Sequence, residues 1–206
     1  MTSSDYSISR ILSYILHPLL IPTLATSALM LQPDLYPIVL PVALKLWFVS
    51  VITVFTIIIP ASSVFILLKF NAIYSVEQKN RSERTIPLLI ASTSYIGLLV
   101  FIKPANIPPV FMYLLYSATL SLVTGLLINL VYKISLHTLG WGAFTAALIS
   151  ISIHLGMHLL LLILISILLS GLAGYARLKQ NAHNPAQVYL GYIAGVSVVI
   201  LISFLT

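Results

Sequence analysis

Twelve residues near the end of the chain, ARLKQNAHNPAQ (Ala176 to Gln187), interrupt a long apolar sequence with Arg177, Lys179, His183 and several side-chain amides. His183 and Gln187 stand at i and i+4, a spacing that on a helix brings an amide beside an imidazole. An acceptor on one ring nitrogen leaves the other with its lone pair, free to attack phosphorus. Arg177, six residues before His183, suits the neutralisation of phosphoryl oxygens in a transition state. Two further stretches carry related chemistry. Lys79, Arg81 and Arg84 precede Pro87; arginine binds phosphate oxygens bidentately and lysine adds a point charge. Pro87 is expected in the first turn of a helix, where free N–H groups favour anions. Ser135 and His137 precede Gly140-Trp141-Gly142. There His137 suits general acid–base work near neutral pH, and Ser135 can donate to a phosphate oxygen. Each stretch also has a plainer use, as a basic loop of the positive-inside kind, an interfacial histidine beside a tryptophan, and a wet connection between helices.

Other histidines offer less. His154 and His158 have a metal-compatible i, i+4 spacing but lack the glutamate of an H-E-x-x-H site. Together with His17 in LHPLLIP, they read as packing or interfacial residues. The chain has no cysteine, which removes disulfides, thiolate metal sites and cysteine nucleophiles. Its four acids are Asp5, Asp34, Glu77 and Glu83, with none beyond position 83. Carboxylate-rich metal sites, carboxylate pairs and Ser-His-Asp triads therefore lack material in the second half, and neither a cofactor nor a metal is expected.

These residues are positioned by a membrane protein. The 206 residues are 60% hydrophobic and 7% charged, against about a quarter charged in soluble domains. Apolar runs mark seven candidate segments, roughly 11–31, 42–68, 87–103, 109–132, 138–154, 157–175 and 187–205. The third is short and holds Ser92, Thr93 and Ser94, which suggests a tilted or re-entrant element; the fifth and sixth are divided only by a tight turn near Gly156. The expected fold is an all-α polytopic transmembrane bundle of six or seven helices in one domain spanning 1–206. The start, MTSSDYSISR, gives no convincing cleavable signal, so the first segment is expected to be retained. Parity puts the loops after segments two, four and six on one membrane face, and these are the three stretches described above. The net charge of +6 suits anionic lipid or phosphate; its scatter over short loops does not suit nucleic acid.

Taken in order, the three stretches resemble the motifs of the type 2 phosphatidic acid phosphatase superfamily, the lipid-phosphate phosphatases related to vanadium haloperoxidases. Its third motif, S-R-x5-H-x3-D, is matched in spacing by Ala176-Arg177, His183 and Gln187, with Ala for Ser and Gln for Asp. The second, P-S-G-H, keeps Ser135 and His137. In the first, K-x6-R-P, Lys79 and Pro87 fit, but Ile86 stands at the arginine, leaving Arg81 or Arg84 to take that role. The resemblance covers about residues 79–187 and implies a haloperoxidase-like helical core with metal-free hydrolysis through a phosphohistidine. It makes His183 the nucleophile and His137 the acid and water activator. Gln187 would orient His183, and Lys79, Arg84 and Arg177 would hold phosphate with help from Ser135.

The substrate so implied is a lipid phosphate, a phosphomonoester or diphosphate, drawn from the surrounding membrane lipids. A catalytically inert lipid-phosphate binder or transporter is the chief alternative, and a structural subunit with merely topological loops is a third. A bacterial cytoplasmic membrane is the expected setting. The positive-inside rule favours a cytoplasmic site, whereas the family usually works on the outer face; the lipid, the face and the oligomeric state stay open on the sequence.

Overall fold

The computed structural model describes residues 3–32, 40–76, 78 and 80–204. All regular structure among them is helical, and seven spans are long and apolar enough to cross a membrane: Ser7–Met30, Val42–Lys69, Arg81–Ala105, Pro109–Asn129, Leu136–Leu155, Leu160–Lys179 and Pro185–Ser203. The protein is a multi-pass helical bundle. The first span is α1 (Ser3–Ile15), a 3-10 turn (Pro18–Leu20) and α2 (Ile21–Met30). Its break falls at His17-Pro18, where the His17 side chain accepts the Leu19 N–H as an N-cap. The second span joins α3 (Val42–Thr53) to α4 (Ile59–Lys69) through a π-helical turn, Val54–Ile58. Pro60 has no N–H to offer the preceding turn, and the Phe55 carbonyl is met instead by the Ser94 hydroxyl at 2.6 Å.

The remaining spans are α5 (Arg81–Ile102) with a short 3-10 extension, α6 (Pro109–Asn129), α7 (Leu136–Leu155), α8 (Leu160–Lys179) and α9 (Pro185–Ser203). α5 corrects two expectations. It is a full-length helix of 22 residues rather than a short or re-entrant one, and Pro87 lies inside it rather than in its first turn. Pro87, seven positions in, has no N–H for the Glu83 carbonyl and crowds it with its ring, yet the helix runs on outward from it to Arg81. The division between α7 and α8 falls where the sequence put it, with Gly156 ending α7 at φ 64°, a left-handed conformation that favours glycine.

α7 is the axis of the bundle. Sixty-seven per cent of its span is buried, whereas no other span exceeds 44%. Its small residues (Gly142, Ala143, Ala146, Ala147 and Ser150 among them) let neighbouring backbones approach closely. α9 comes nearest, through Gly191 and Gly195. A β-carbon at Gly191 would lie 2.6 Å from the Ser135 carbonyl oxygen, and one at Gly195 would collide with the Leu139 carbonyl. Packing differs between the two halves of the bundle. Away from the polar loops, Leu29, Phe48, Ile52, Leu98, Phe111 and Leu148 form one dense core, with Phe48 edge-on to Phe111 at 5.8 Å. Beneath the polar loops the helices enclose a cavity instead.

Gly195→Ala forces its methyl group onto backbone that cannot yield locally, and overpacking of this kind costs about 1–3 kcal/mol. Thermal unfolding in detergent is expected to show a clear fall in Tm for Gly195→Ala, while Gly171→Ala, where a β-carbon meets open space, leaves Tm unchanged or higher.

Candidate functional site

The site forms where Gln78 and the connections 130–135 and 180–184 meet, and hydrogen bonds to backbone carbonyls hold them together. The Ser135 N–H donates to the Gln187 carbonyl at 3.0 Å, and the Thr138 hydroxyl donates to the Val188 carbonyl at 2.8 Å. Lys133 Nζ donates to the Ala182 carbonyl at 2.9 Å. α1 closes the remaining side, with the Gln180 amide donating to the Ser9 carbonyl at 2.7 Å. Arg84, His137, Arg177 and His183, all buried, line one cavity of about 390 Å³.

His183 immediately precedes the N-cap of α9, so its contact with Gln187 does not run along a helix face as the i, i+4 spacing suggested. Asn184 caps α9 and Gln187 is its third residue, forming a capping box in which the Asn184 side chain accepts from the Gln187 N–H. Gln187 Oε1 folds back to within 3.4 Å of the Asn184 N–H and 2.9 Å of His183 Nδ1. A backbone N–H can only donate, so the atom facing it is oxygen, and His183 Nδ1 must then carry the proton shared with that oxygen. On the other side of the ring, Arg84 Nη2 lies 3.3 Å from Nε2. A guanidinium also can only donate, so Nε2 holds the lone pair. Two obligate donors thus fix the tautomer from opposite ends.

Burial pushes His183 down from an ordinary value near 6.5 to about 3; the charge of Arg84 adds to the shift and the Gln187 hydrogen bond opposes it. A lowered value means that a proton binds only as pH falls towards it, so the ring is neutral throughout the neutral range. Lys133 is also shifted down, first by burial and then by Arg84 and Arg177.

Arg84 is held by the Gln78 carbonyl at 2.9 Å, the Ile134 carbonyl at 3.2 Å and His183. These partners are neutral, so among the described residues the buried charge is solvated without a counter-charge, an arrangement that favours an entering anion. Arg177 Nη1 donates to Ser13 Oγ at 2.7 Å and to Gln180 Oε1 at 3.3 Å. His137 Nε2 lies 3.1 Å from the Ser13 carbonyl, an obligate acceptor, so it carries a proton there. The other nitrogen, Nδ1, is left for acid–base work. Ser13 therefore ties His137 to Arg177.

The expected residues are distributed unevenly. His137, Arg177, His183, Gln187 and Arg84 come together, and of the two candidates for the first-motif arginine it is Arg84 that enters the cavity. Arg81 is exposed at the start of α5 and is absent from the cavity lining. Ser135 is fully buried and its hydroxyl accepts the Thr138 N–H at 3.4 Å as the N-cap of α7; it does not line the cavity. Lys79 lies outside the described residues. His17, read from sequence as packing, lines the cavity with its ring edge-on to His137 at 5.2 Å. Ser13, Gln180 and Lys133 were missed as site residues. Ser13 sits in the apolar first span, Gln180 was one more amide of the polar stretch Ala176 to Gln187, and Lys133 looked like one more basic loop residue; only the pairing of distant segments reveals them. His154 and His158 lie at the other end of α7, and no group of three or more metal-ligating side chains occurs among the described residues. Comparison with protein families, curated proteins and solved structures finds no match.

Nitrogen-resolved NMR of His183 is expected to show a neutral ring protonated on Nδ1 from about pH 8 to about pH 5. Gln187→Leu removes the acceptor and mixes the tautomers. Gln187→Glu keeps the capping box and sets a negative charge against Nδ1–H, which favours the imidazolium and raises the titration midpoint by about one unit or more.

Proposed function

We propose that the protein is a membrane lipid-phosphate phosphatase that hydrolyses a phosphomonoester or diphosphate of a lipid through a phosphohistidine at His183. The observation that carries this reading is the fixed lone pair on His183 Nε2, adjoining an Arg84 guanidinium whose partners among the described residues are all neutral, in a cavity lined largely by apolar side chains. The order and spacing shared with the lipid-phosphate phosphatase motifs support it.

In this reading the phosphate enters between Arg84 and Arg177. Nε2 attacks phosphorus, an N–P bond forms, and the P–O bond to the lipid breaks with its electron pair leaving on the lipid oxygen. That oxygen takes a proton from Nδ1 of a doubly protonated His137, whose second N–H is held by the Ser13 carbonyl; the phosphate dianion supplies the counter-charge. Water then attacks phosphorus and gives its proton to His137. The N–P bond breaks, its electron pair returns to Nε2, and phosphate is released. Arg84 and Arg177 spread the charge that builds on the phosphoryl oxygens. Gln187, lacking the charge of an aspartate, acts by orientation and by fixing the tautomer. The excess of Lys and Arg on the site's face supports its facing the cytoplasm.

Phosphate release from a panel of lipid phosphates by the purified chain tests this. His183→Ala is expected to lose at least about a thousandfold in rate. His137→Ala loses about 10²–10⁴-fold on lipid substrates, and far less on an aryl phosphate whose leaving oxygen needs no proton. A chelator leaves both rates unchanged. Turnover that survives in His183→Ala, or that disappears with the chelator, contradicts the histidine mechanism. Phosphate-competitive lipid binding without turnover in the unaltered protein establishes the inert binder instead.

A further inference from the structure

The cavity continues inward from the polar cluster. Along α5 its wall runs from Arg84 through Leu88 and Ala91 to Tyr95, a length of ~16 Å of helix and about half of a ~30 Å hydrocarbon core. Most of this inner wall is apolar, as a lipid chain requires. Besides the phenol of Tyr95, Ser117 and Ser121 on α6 are the exceptions. One turn apart, both line the cavity, both are 2% exposed, and neither hydroxyl has a hydrogen-bond partner.

Thr119 lies between them and shows the usual behaviour of a hydroxyl on a membrane helix, donating to the Leu115 carbonyl at 2.7 Å. Thr145 does the same with the Trp141 carbonyl at 2.9 Å. Other described hydroxyls are buried without partners, at Thr23, Thr26, Thr56, Ser92 and Tyr113, but Ser117 and Ser121 are the two that face the cavity. A hydroxyl left unmet in an apolar setting is costly, and rotation about Cα–Cβ turns each from its closed position towards the cavity that its residue lines.

Their depth identifies what they would meet. Asn129 Nδ2 donates to the Arg81 carbonyl at 3.1 Å, and a β-carbon at Gly125 would lie 3.1 Å from the Leu136 side chain. Gly125 is therefore level with the start of α7, where His137 stands. Ser121 and Ser117 follow four and eight residues further in, ~6 Å and ~12 Å deeper. In an acylated glycerol phosphate the ester carbonyls follow the phosphate by a few bonds, within that interval. An isoprenoid or alkyl-ether chain offers no carbonyl at all.

We propose that Ser121 and Ser117 are specificity-determining residues that donate hydrogen bonds to the acyl carbonyls of a lipid phosphate whose head lies at Arg84 and Arg177. The site then selects acyl-linked lipid phosphates over ether- or isoprenoid-linked ones. This rests on the lipid-phosphate reading of the site and assigns the part of the substrate that the histidines do not touch.

The test uses the full chain in detergent and two probes of equal chain length, a 1-acyl glycerol 3-phosphate and its 1-O-alkyl analogue, with Kd measured for each. The unaltered protein is expected to bind the acyl probe about tenfold more tightly. The double variant Ser117→Ala, Ser121→Ala brings the ratio close to one by weakening acyl binding alone. Its thermal stability is unchanged or higher, because two unmet hydroxyls are gone. Equal binding of the probes by the unaltered protein, or a preference that survives in the double variant, overturns the proposal. An acyl preference without phosphate release sinks the hydrolase reading and leaves this one standing. Release from both probes at equal affinity does the reverse, and failure to bind either probe overturns both.

Discussion

The Asn184 N–H and the His183 Nδ1–H converge on a single oxygen, Oε1 of Gln187. The first of these donors belongs to the backbone and cannot change character, so it decides which atom of the amide faces the ring and hence which ring nitrogen carries the proton. Helix capping and histidine orientation are in this way one interaction. An aspartate here would orient the ring by charge, whereas glutamine does so by hydrogen-bond polarity. The ring is left neutral, with its lone pair turned towards Arg84.

Much of the bundle serves to keep that geometry in place. Glycines at 191 and 195 let α9 lie against the α7 backbone, which carries the Gln187 end of α9 up to Ser135 and Thr138. Lys133 anchors the residue before His183, and the Ile134 carbonyl holds Arg84, so one short connection fixes both partners of the ring. α1 adds Ser13, whose carbonyl orients His137 and whose hydroxyl receives Arg177. The cost of burying cations is concentrated in this half of the bundle, together with the cavity; the other half is packed with Leu, Ile and Phe. A membrane protein that had only to span the bilayer would have no reason to separate packing and polarity in this way.

Seven spanning helices among the described residues and the convergence of the polar loops were legible in the sequence, because hydrophobic run length and parity are set by the bilayer and not by tertiary detail. Gly156 marked the hardest boundary correctly, since a left-handed residue ends a helix visibly. The start of α5 was misread at Pro87, because proline is common in a first turn whereas here the helix begins six residues before it. His183 and Gln187 were paired correctly but for the wrong reason: their contact belongs to a capping box, a local motif that N-P-A-Q carries plainly. Ser13 escaped notice and His17 was read as packing or interfacial, because a polar residue in an apolar segment gives no sign of which distant loop it meets. Ser135 shows the opposite failure, a well-placed hydroxyl already used by its own helix.

The central claim is that His183 Nε2 is a nucleophile towards phosphorus, and trapping the adduct tests it most directly. The chain is mixed with a phosphate-labelled lipid phosphate, quenched rapidly in alkali, and digested for mass spectrometry. The account predicts an acid-labile, alkali-stable phosphoryl group on His183, absent after quenching in acid. Phosphate released with no such adduct, or an adduct carried by another residue, would contradict it.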